Sequence, residues 1–416
     1  MTCPTARSAT RPAIAPARRH ALVLVGGFAL GACAPSVAGM GAPDAVGEPP
    51  GDAAVVTTDG GGDAASPEQL GVLSLNLHCL KTEGTAFTTN AARFAAIAAA
   101  VSTEHIDVVL AQEVCVSATE NAHTMLVAAL ANATGATWSS TVALAHRAWD
   151  GSADQADEYV AIFSRDALSA PRQTVHRAQG SLRRVMLGAT VATRLTSPAG
   201  AALPVRVYTV HLDHEDAVVR AAQGREVASA AMVESDNEQI AIEAGDGAVA
   251  LPLLVGGDFN ARLLGEAPQA LVELGFVAAS GSAQTTRIDH VFSHRSAPLA
   301  PALAVELFEG AAAVSDHPGV LVRFVPAPPQ PVRLTRVVAS GTFPLPLSVR
   351  GDRAPLSWDR GWPAFPAAGA GVAVVTSEMP AAAFAYKFLR QDADWAIGGN
   401  VIGAGEADNV STPSFP

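Results

Sequence analysis

Residues 251–262 bring together side chains that could activate a water molecule beside a charged oxygen. An apolar run, residues 251–255, has the length and β-branched content of a buried strand. Two glycines follow it, and Asp258 and Asn260 then stand two residues apart, a spacing that puts both side chains on one face of an extended segment. The carboxylate could position water while the carboxamide donates to a charged oxygen. The Gly-Asp-X-Asn pattern is also typical of an Asx turn, so a catalytic role needs partners elsewhere in the chain.

Candidate partners follow two apolar segments in the first half of the chain. Asn76 ends the alternating residues 71–77, and Glu113 comes just after the apolar residues 106–111. A carboxylate at the end of an apolar strand is either a metal ligand or a salt-bridge partner, and position alone does not choose between them.

Imidazoles and further acids occur in three later segments. His211 directly follows the apolar residues 205–210, and Asp289 lies in the short strand-like segment 287–292. Asp316 and His317 precede the apolar residues 320–325. A carboxylate can orient an imidazole for proton transfer. Each fragment could instead be a cap, a turn or surface polarity, but their joint occurrence favours a catalytic site.

These side chains need strands and helices to position them, and the chain alternates between the two patterns. The Ala-rich residues 90–104 have a helical pattern between the first two predicted strands. Residues 158–165 and 184–195 are further strand candidates, and Asp216 is the predicted N-cap of a helix extending to about residue 233. Alternating strands and helices indicate a layered α/β domain.

The ordered set of motifs resembles the endonuclease/exonuclease/phosphatase superfamily over residues 68–326. That resemblance implies an α/β fold, a four-layered two-sheet sandwich (α-β-β-α), with the site at the strand ends of both sheets. It also implies a divalent cation, Mg²⁺ first, with Mn²⁺ or Ca²⁺ as alternatives. Hard cations on oxygen ligands neutralise the charge that makes a phosphodiester a poor electrophile.

The same resemblance implies a role for each matching residue. Glu113 would be the principal metal ligand, with Asn76 beside it. Asp258 would orient or activate the attacking water, and Asn260 would bond the phosphoryl oxygen. The remaining roles are as follows: His211 would contact the scissile phosphate, His317 would be general base or acid oriented by Asp289, and Asp316 would support the metal or the histidine. Two departures from the family pattern, His78 and Val160, put the details of metal and phosphate coordination in doubt.

The N-terminus has the pattern of a bacterial lipoprotein signal. A basic region precedes an apolar run, residues 21–32, that is too short to span a bilayer. It ends Leu-Gly-Ala-Cys, which resembles a lipobox and implies cleavage before Cys33 and lipidation of its thiol; an ordinary secretory signal is the alternative. We therefore expect a signal peptide over residues 1–32, a flexible tether over 33–66, and an exported protein held at the outer membrane, its periplasmic face or the cell surface.

Charge and cysteine content narrow the expectations further. Loss of residues 1–32 removes four arginines and no acids, which takes the net charge from −12 to −16. Such acidity offers no long-range attraction to nucleic acid. Cys79 and Cys115 would meet at one sheet edge if their segments are neighbouring strands. In an oxidising compartment we expect them to form a disulfide, the alternative being two buried free thiols.

The C-terminal part has a different pattern. After the catalytic domain, residues 67–326, a Pro-rich linker spans 327–331, and short strand-like runs over 332–416 indicate a small β-sandwich. This region resembles starch-binding carbohydrate modules, in which aromatic faces stack on sugar rings. The positions that match are Trp358, Lys387, Trp395 and Asn400, and the resemblance implies a possible glucan partner. Ala396 stands where the family has an acidic neighbour.

The sequence as a whole predicts a monomeric, metal-dependent phosphodiesterase or nuclease attached to a membrane by lipid alone. Nucleic acid, a phospholipid headgroup and an inositol phosphate are all compatible substrates, because fold analogy does not choose among them. The first alternative is a lipid or inositol phosphoesterase similar to sphingomyelinases. The second is an inactive surface protein that binds glycan through its C-terminal module.

Overall fold

The computed structural model describes residues 69–416, apart from 198–199, 239–241, 244–245, 282–285 and 370. The predicted signal peptide, the predicted lipidation site Cys33 and the predicted tether lie outside the described residues. The helices are α1 (Asn90–Thr103), α2 (Ala122–Thr134), α3 (Ala217–Asn237) and α4 (Glu266–Glu273), with a 3₁₀ turn at Gly310–Ala312.

The strands of the first part are β1 (Leu70–Asn76), β2 (Val108–Val116), β3 (Ser139–Ala148), β4 (Ala156–Ser164), β5 (Leu168–Val175), β6 (Val185–Val191), β7 (Val205–His211), β8 (Ile242–Glu243), β9 (Val249–Ala250), β10 (Leu253–Asp258), β11 (Phe276–Ala278), β12 (Asp289–His294), β13 (Leu299–Leu307) and β14 (Gly319–Pro326). Those of the second part are β15 (Thr335–Ala339), β16 (Leu347–Gly351), β17 (Trp362–Pro363), β18 (Phe365–Pro366), β19 (Val372–Thr376), β20 (Ala383–Arg390), β21 (Asp394–Trp395), β22 (Val401–Ala404) and β23 (Asp408–Ser411).

Two six-stranded sheets form the first part of the molecule. The first has the strand order β13-β14-β1-β2-β4-β3 and the second has the order β11-β12-β10-β7-β6-β5. In each sheet one central pair is parallel, β1 with β2 and β7 with β10. Each parallel pair is joined through a helix, α1 or α3, as a parallel connection requires.

The hydrophobic cores show how these layers stack. Apolar residues of both sheets, among them Val72, Leu110 and Val207, form one core between the sheets. Helices α1 and α2 cover the outer face of the first sheet, and α3 and α4 cover the outer face of the second. The predicted α/β class and the α-β-β-α two-sheet sandwich are therefore confirmed.

Helix α3 begins as predicted and ends later than predicted. The Asp216 carboxylate accepts hydrogen bonds from the backbone of Val218 and Val219, which satisfies two of the free N–H groups of the first turn. The predicted end near residue 233 falls one turn short of Asn237. The last turn remains helical because the C-terminal part packs against the face of α3 that is turned away from the sheet.

The C-terminal part forms two small sheets that rest on α3. Their strand orders are β18-β19-β15-β23 and β17-β16-β20-β21, with β22 also paired to β20. The core beneath α3 continues without interruption into this part, so Trp362 and Phe365 belong to the same cluster as Val227. Polar contacts reinforce the seam: Ser229 Oγ donates to the Pro363 carbonyl at 2.6 Å, and Arg336 pairs with Asp236. The predicted extra β region is present, and it packs directly against the catalytic layers. The domain boundaries stay predictions.

Among the described residues, no helix has the length and apolarity needed to cross a membrane.

Candidate active site

Strand register brings the predicted catalytic residues to one end of both sheets. Asp258, at the end of β10, pairs across the sheet with His211 of β7 on one side and with Asp289 of β12 on the other. In the first sheet, Asn76 pairs with Gln112, which puts Glu113 just past the end of β1. Side chains from distant parts of the sequence therefore share one cavity.

This cavity has a volume of about 400 Å³ and a polar wall. The residues from the sequence prediction that line it are Asn76, Glu113, His211, Asp258, Asn260, Asp316 and His317. Asp289 is fully buried and touches His317. The wall of the cavity also contains residues to which the sequence prediction gave no role: His146, Trp149, Glu158, Arg184 and His214.

The Gly257–Asn260 segment is both a turn and part of the cavity wall. Gly257 has φ of +151°, and a Cβ there would lie 2.1 Å from the Val210 carbonyl oxygen, so only glycine fits. Asp258 Oδ1 accepts the backbone N–H of Asn260 at 2.8 Å, which is the Asx turn. The prediction that both side chains lie on one face of an extended segment is wrong, because the strand ends at Asp258 and Asn260 is left-handed at φ +48°. Asn260 Nδ2 donates to the Leu212 carbonyl at 3.0 Å, which leaves its second N–H for the cavity.

Asn76 is fixed in an orientation that the metal-ligand hypothesis did not foresee. Its Nδ2 donates to Glu113 Oε1 at 3.0 Å and to Asp258 Oδ2 at 3.2 Å, and its Oδ1 accepts the His78 backbone N–H at 2.8 Å. Carboxylates only accept and a backbone N–H only donates, so the amide cannot be reversed without losing all three bonds. Asn76 therefore orients the two carboxylates, and its oxygen is engaged by the His78 backbone.

Glu113 reaches the cavity through an irregularity in β2. The register of β2 against β4 shifts between Ala111 and Val114, and Glu113 has a left-handed φ of +50°. A bulge of this kind turns a side chain away from its regular alternation. The predicted strand end at residue 111 is too early, because β2 continues beyond the bulge to Val116. The Glu113 side chain is 22% exposed, so it is open to a ligand.

His317 lies among three carboxylates. Its Nε2 is 2.9 Å from Asp289 Oδ2 and 3.5 Å from Asp258 Oδ2, and its Nδ1 is 3.0 Å from Asp316 Oδ1. Burial alone would lower the pKa of His317, but the three carboxylates outweigh it and raise the pKa to about 11. Hydrogen bonding to His317 lowers the pKa of Asp316, whereas burial raises the pKa of Asp258 and of Asp289. At neutral pH His317 is therefore a cation and a proton donor.

His211 is held in the opposite, neutral state by a buried arginine. Arg184 NH1 lies 2.9 Å from His211 Nδ1 and 3.2 Å from Glu158 Oε1, and its NH2 lies 3.3 Å from His214 Nδ1. Burial, and then Arg184, lower the pKa of His211 to about 4. Because arginine can only donate, Nδ1 must accept and the proton lies on Nε2. That Nε2 faces Asp258 Oδ2 at 3.7 Å and Glu113 Oε1 at 4.0 Å.

Arg184 and Glu158 were missed as functional residues, although their segments were recognised as strands. Both are buried, with 2% and 6% exposure, and they stand at the starts of two predicted strands that follow one another in the sequence. A charged residue opening an otherwise apolar strand is the signal that could have identified them, since buried charges need partners.

Cys79 and Cys115 form a disulfide next to the site. The bond joins the segment that follows Asn76 to the segment that follows Glu113, and Ala156 packs against it. The covalent link therefore ties together the two chain segments that carry these site residues.

Comparison with known families identifies this arrangement. Residues 73–317 match the endonuclease/exonuclease/phosphatase family model. The chain belongs to that family. Its members are phosphoesterases and nucleases, and they generally use divalent metals. No curated protein matches the chain in sequence.

Solved structures of the endonuclease/exonuclease/phosphatase family are similar in fold. The protein from Beutenbergia cavernae is 17% identical, covers 81% of this chain and 100% of its own, and has a TM-score of 0.47. The protein from Leptotrichia buccalis is 16% identical, covers 61% and 99%, and has a TM-score of 0.46. A mannosyl-6-phosphatase from Bacteroides thetaiotaomicron is 17% identical, covers 62% and 99%, and has a TM-score of 0.44.

The family's divalent cation fits the donor set of this cavity. Among the described residues, five carboxylates line or underlie the cavity, against the two cations Arg184 and His317, and such an excess of negative charge would repel a phosphate ester. The carboxylates are Glu113, Glu158, Asp258, Asp289 and Asp316. Carboxylate oxygen is the ligand that Mg²⁺ prefers, usually with one or two carboxylates and several waters.

The four residues predicted to bind carbohydrate lie outside this site, in the C-terminal sandwich. The rings of Trp358 and Trp395 are 6.0 Å apart and tilted by 48°, and Trp395 is 40% exposed. Lys387 Nζ donates to the Gly398 carbonyl and lies 5.9 Å from the Trp395 ring. Asn400 is exposed nearby in sequence. The structure thus brings the two tryptophans and the lysine together.

Proposed function

We propose that this protein is a metal-dependent phosphodiesterase, with nucleic acid or another phosphodiester as substrate. The observation that carries the proposal is the convergence of His211, Asp258 and His317, in different protonation states, on one cavity beside Glu113. A neutral donor, a carboxylate and an imidazolium within one cavity are what hydrolysis of a phosphate ester requires.

Glu113 is the residue best suited to hold Mg²⁺, with Asp316 as second carboxylate. Asn76 keeps Glu113 in place through its 3.0 Å hydrogen bond. The cation would supply neutralisation of phosphoryl charge. Water activation, protonation of the leaving group and contacts to the phosphoryl oxygens are assigned to side chains of the protein.

Asp258 is assigned to the attacking water. Its Oδ1 is occupied by the turn, while Oδ2 faces the cavity between His211 and His317. Water attack on phosphorus forms one P–O bond and breaks the bond to the leaving-group oxygen. The water proton passes to Asp258, whose raised pKa suits a base, and the leaving oxygen takes a proton from the His317 imidazolium. The reaction ends with a phosphomonoester and an alcohol.

His211 and Asn260 are assigned to the phosphoryl oxygens. The Arg184 contact leaves the His211 proton on Nε2, and the second N–H of Asn260 is free of the Leu212 carbonyl. Both are donors fixed before substrate arrives. Preorganised donors of this type act on charge that develops in the transition state.

The substrate class separates the leading proposal from its alternative. The net charge after signal removal weakens long-range attraction to nucleic acid, whereas a phospholipid or inositol-phosphate esterase would need a site for its headgroup. Hydrolysis of bis(4-nitrophenyl) phosphate, plasmid DNA and sphingomyelin should therefore be compared with Mg²⁺ and with chelator. We expect metal-dependent hydrolysis of bis(4-nitrophenyl) phosphate, with plasmid DNA cleaved faster than sphingomyelin.

The site assignment is tested by substitution. Asp258→Asn and His317→Ala should each lower kcat by about 10²–10³-fold. Val277→Ala, at a half-exposed position of β11, is the matched control and should retain wild-type activity. Full activity in Asp258→Asn would show that the site assignment is wrong. Absence of turnover on every substrate would favour the inactive glycan-binding alternative.

We also propose that the protein is exported and anchored through a lipid on Cys33. The Cys79–Cys115 disulfide supports an oxidising compartment. Replacement of Cys33 by serine should release the mature protein from membranes. A wild-type protein that is soluble and carries no lipid would contradict the anchor.

Glucan binding by the C-terminal sandwich is a second proposed function. It is supported by the exposed Trp395 ring beside Trp358 and Lys387. Retention on amylose resin, lost in Trp395→Ala, is the expected result. A wild-type protein that passes through the resin unretarded would exclude it.

A further inference from the structure

A second cavity lies beside the catalytic one and shares a wall with it. Its volume is about 590 Å³, and Trp149 lines both cavities. Its walls come from the segment after β1, the segment after β2 and the β3–β4 turn. The Cys79–Cys115 disulfide joins the segment after β1 to the end of β2. We call this cavity the Trp149 pocket; its size is ordinary for a small-molecule site.

Trp149 is presented to the pocket as a fixed aromatic surface. Trp149 is a large apolar residue that remains 41% exposed. The Lys81 ammonium lies 3.9 Å from the ring centroid. The Trp149 carbonyl accepts hydrogen bonds from the backbone and side chain of Ser152, which close the turn. A half-exposed indole held by a cation and a closed turn, at the rim of a catalytic cavity, is suited to stacking a ligand.

The remaining wall is polar and predominantly acidic. Glu83, Glu120 and Asp154 face the pocket, Lys81 is the one lysine or arginine among the described residues that line it, and Thr82 and Ser117 add hydroxyl groups. Three carboxylates disfavour a second phosphate, as in nucleic acid or a polyphosphorylated inositol. A polar wall also gives no burial energy to an acyl chain. These features favour a neutral ligand with many hydroxyl groups.

A cationic headgroup such as choline is the strongest competitor, because aromatic rings and carboxylates attract quaternary ammonium groups. Here the Lys81 ammonium lies 3.9 Å from the Trp149 ring centroid, so a quaternary ammonium on the indole would be repelled by it, whereas a neutral sugar on the opposite face of the ring would not. A second positive charge would be placed next to the first.

We infer that the Trp149 pocket binds a sugar ring, so that the substrate is a phosphodiester of a sugar. The phosphorus would lie in the catalytic cavity and the sugar would stack on Trp149. This inference rests on the proposed phosphodiesterase function and names its substrate class.

Three substrates with one leaving group test the inference. Glucose 6-(4-nitrophenyl phosphate), methyl 4-nitrophenyl phosphate and 4-nitrophenyl phosphocholine all release 4-nitrophenolate, so differences in kcat/KM report the retained group. We expect the wild-type protein with Mg²⁺ to prefer the glucose ester over the methyl ester by about tenfold. Trp149→Ala should remove most of that preference, and Val277→Ala should leave it intact.

Lys81→Ala distinguishes the sugar from the cationic headgroup. Removing the ammonium removes its repulsion of a second cation, so the preference for the phosphocholine ester over the methyl ester should rise several-fold. A wild-type protein that already prefers the phosphocholine ester would overturn the sugar assignment.

A binding measurement separates failure of this inference from failure of the proposed function. Calorimetry in a Trp395→Ala background, which removes the C-terminal candidate sugar site, should show glucose 6-phosphate binding more tightly than inorganic phosphate. Trp149→Ala should abolish the difference. If the methyl ester is hydrolysed but neither assay shows a sugar preference, the pocket assignment is wrong. If the methyl ester is not hydrolysed at all, the phosphodiesterase proposal is wrong.

Discussion

Arg184 is the residue whose removal tests the proposed state of His211 most directly. In the structure, its NH1 forces His211 Nδ1 to accept a hydrogen bond, which leaves the proton on Nε2. In Arg184→Met, Glu158 Oε1, 3.4 Å from the same Nδ1, becomes the neighbouring acceptor. The imidazole proton should then move to Nδ1, and Nε2 would lose its ability to donate to the phosphoryl group.

The size of both effects follows from these contacts. Loss of one preorganised donor costs about 10²–10³-fold in kcat. Loss of the guanidinium also leaves Glu158 buried without its arginine partner. Two imidazoles remain beside it, His211 and His146, whose Nε2 lies 3.3 Å from the carboxylate. We expect destabilisation of about 3 kcal/mol, the lower end for breaking a buried ion pair, because these imidazoles remain.

A double variant separates the loss of the tautomer from the loss of stability. In Arg184→Met/Glu158→Gln, the glutamine amide can donate to His211 Nδ1 and restore the Nε2 proton. This variant should regain most of the stability and part of the activity. Glu158→Gln alone keeps the contact between Arg184 and His211, and its kcat should stay within a few-fold of the wild-type value.

Ring ¹⁵N shifts of labelled histidine report the tautomer without any turnover. The His211 signals can be assigned by comparison with His211→Gln. The wild-type spectrum should show protonated Nε2, and Arg184→Met should show protonated Nδ1. If Arg184→Met keeps the Nε2 proton and loses activity all the same, Arg184 acts in another way, and the tautomer argument fails.

Three further predictions concern stability. Reduction of Cys79–Cys115, or its replacement by two alanines, should lower the free energy of unfolding by about 2–4 kcal/mol, measured by urea titration; an unchanged midpoint would contradict it. Truncation after Pro331 should give an aggregating protein, because it uncovers apolar residues that share one core with the C-terminal part, Val227 among them; a soluble, folded product in size-exclusion chromatography would show that the seam is dispensable. Burial, and then Arg295, lower the pKa of His294 to about 3. As the pH falls below about 6.5, His294 is therefore protonated in the unfolded chain but not in the folded one, and the free energy of unfolding decreases. Between pH 7 and 5 that loss should be about 2 kcal/mol smaller in His294→Gln.

The His294 prediction rests on hydrogen bonds that exclude a second ring proton. Ser377 Oγ donates to Glu378, so it accepts from His294 Nε2 at 3.0 Å. His294 Nδ1 accepts the Ser296 backbone N–H at 3.2 Å. The imidazole therefore cannot take a proton on Nδ1 without breaking a buried contact, and equal pH dependence in wild type and variant would refute this account.

Three residues of the candidate site, His211, Asp258 and Asp289, were predictable because each directly ends or begins an apolar strand. His211, Asp258 and Asp289 are far apart in sequence, yet their strands are neighbours and their registers align. Strand ends are visible in a sequence as the point where an apolar run stops. Their order along the chain then matched one family, which supplied the pairing of strands that periodicity alone does not give.

The role of Asn76 was not predictable, because it depends on which way an amide faces. Sequence places an amide near Glu113, but only the His78 backbone N–H and two carboxylates decide that Nδ2 faces the acids. The bulge at Glu113 was likewise invisible, since it inserts into β2 without a glycine or proline to mark it. Such features are set by tertiary contacts.

Helix α3 explains why the C-terminal part could be recognised but not placed. A helix on the surface of a sheet shows an apolar stripe, and α3 shows none because both of its sides are buried. Polar residues such as Glu226 and Ser229 are buried in it and bond outward rather than within the helix. The sequence pattern of α3 therefore looked like that of an ordinary polar helix, and the packed neighbour on its far side left no periodic signal.

The same seam supports the active site through a short series of contacts. Arg177 donates to the Leu347 carbonyl of the C-terminal sandwich, while its backbone N–H donates to Glu226 of α3 at 2.7 Å. Two residues later, Gln179 Oε1 accepts the backbone N–H of Arg184 at 2.9 Å. The segment that delivers Arg184 to His211 is thus held by α3 and the sandwich together. The C-terminal part accordingly helps to fix the arginine that determines the state of His211, whether or not its own tryptophans bind glucan.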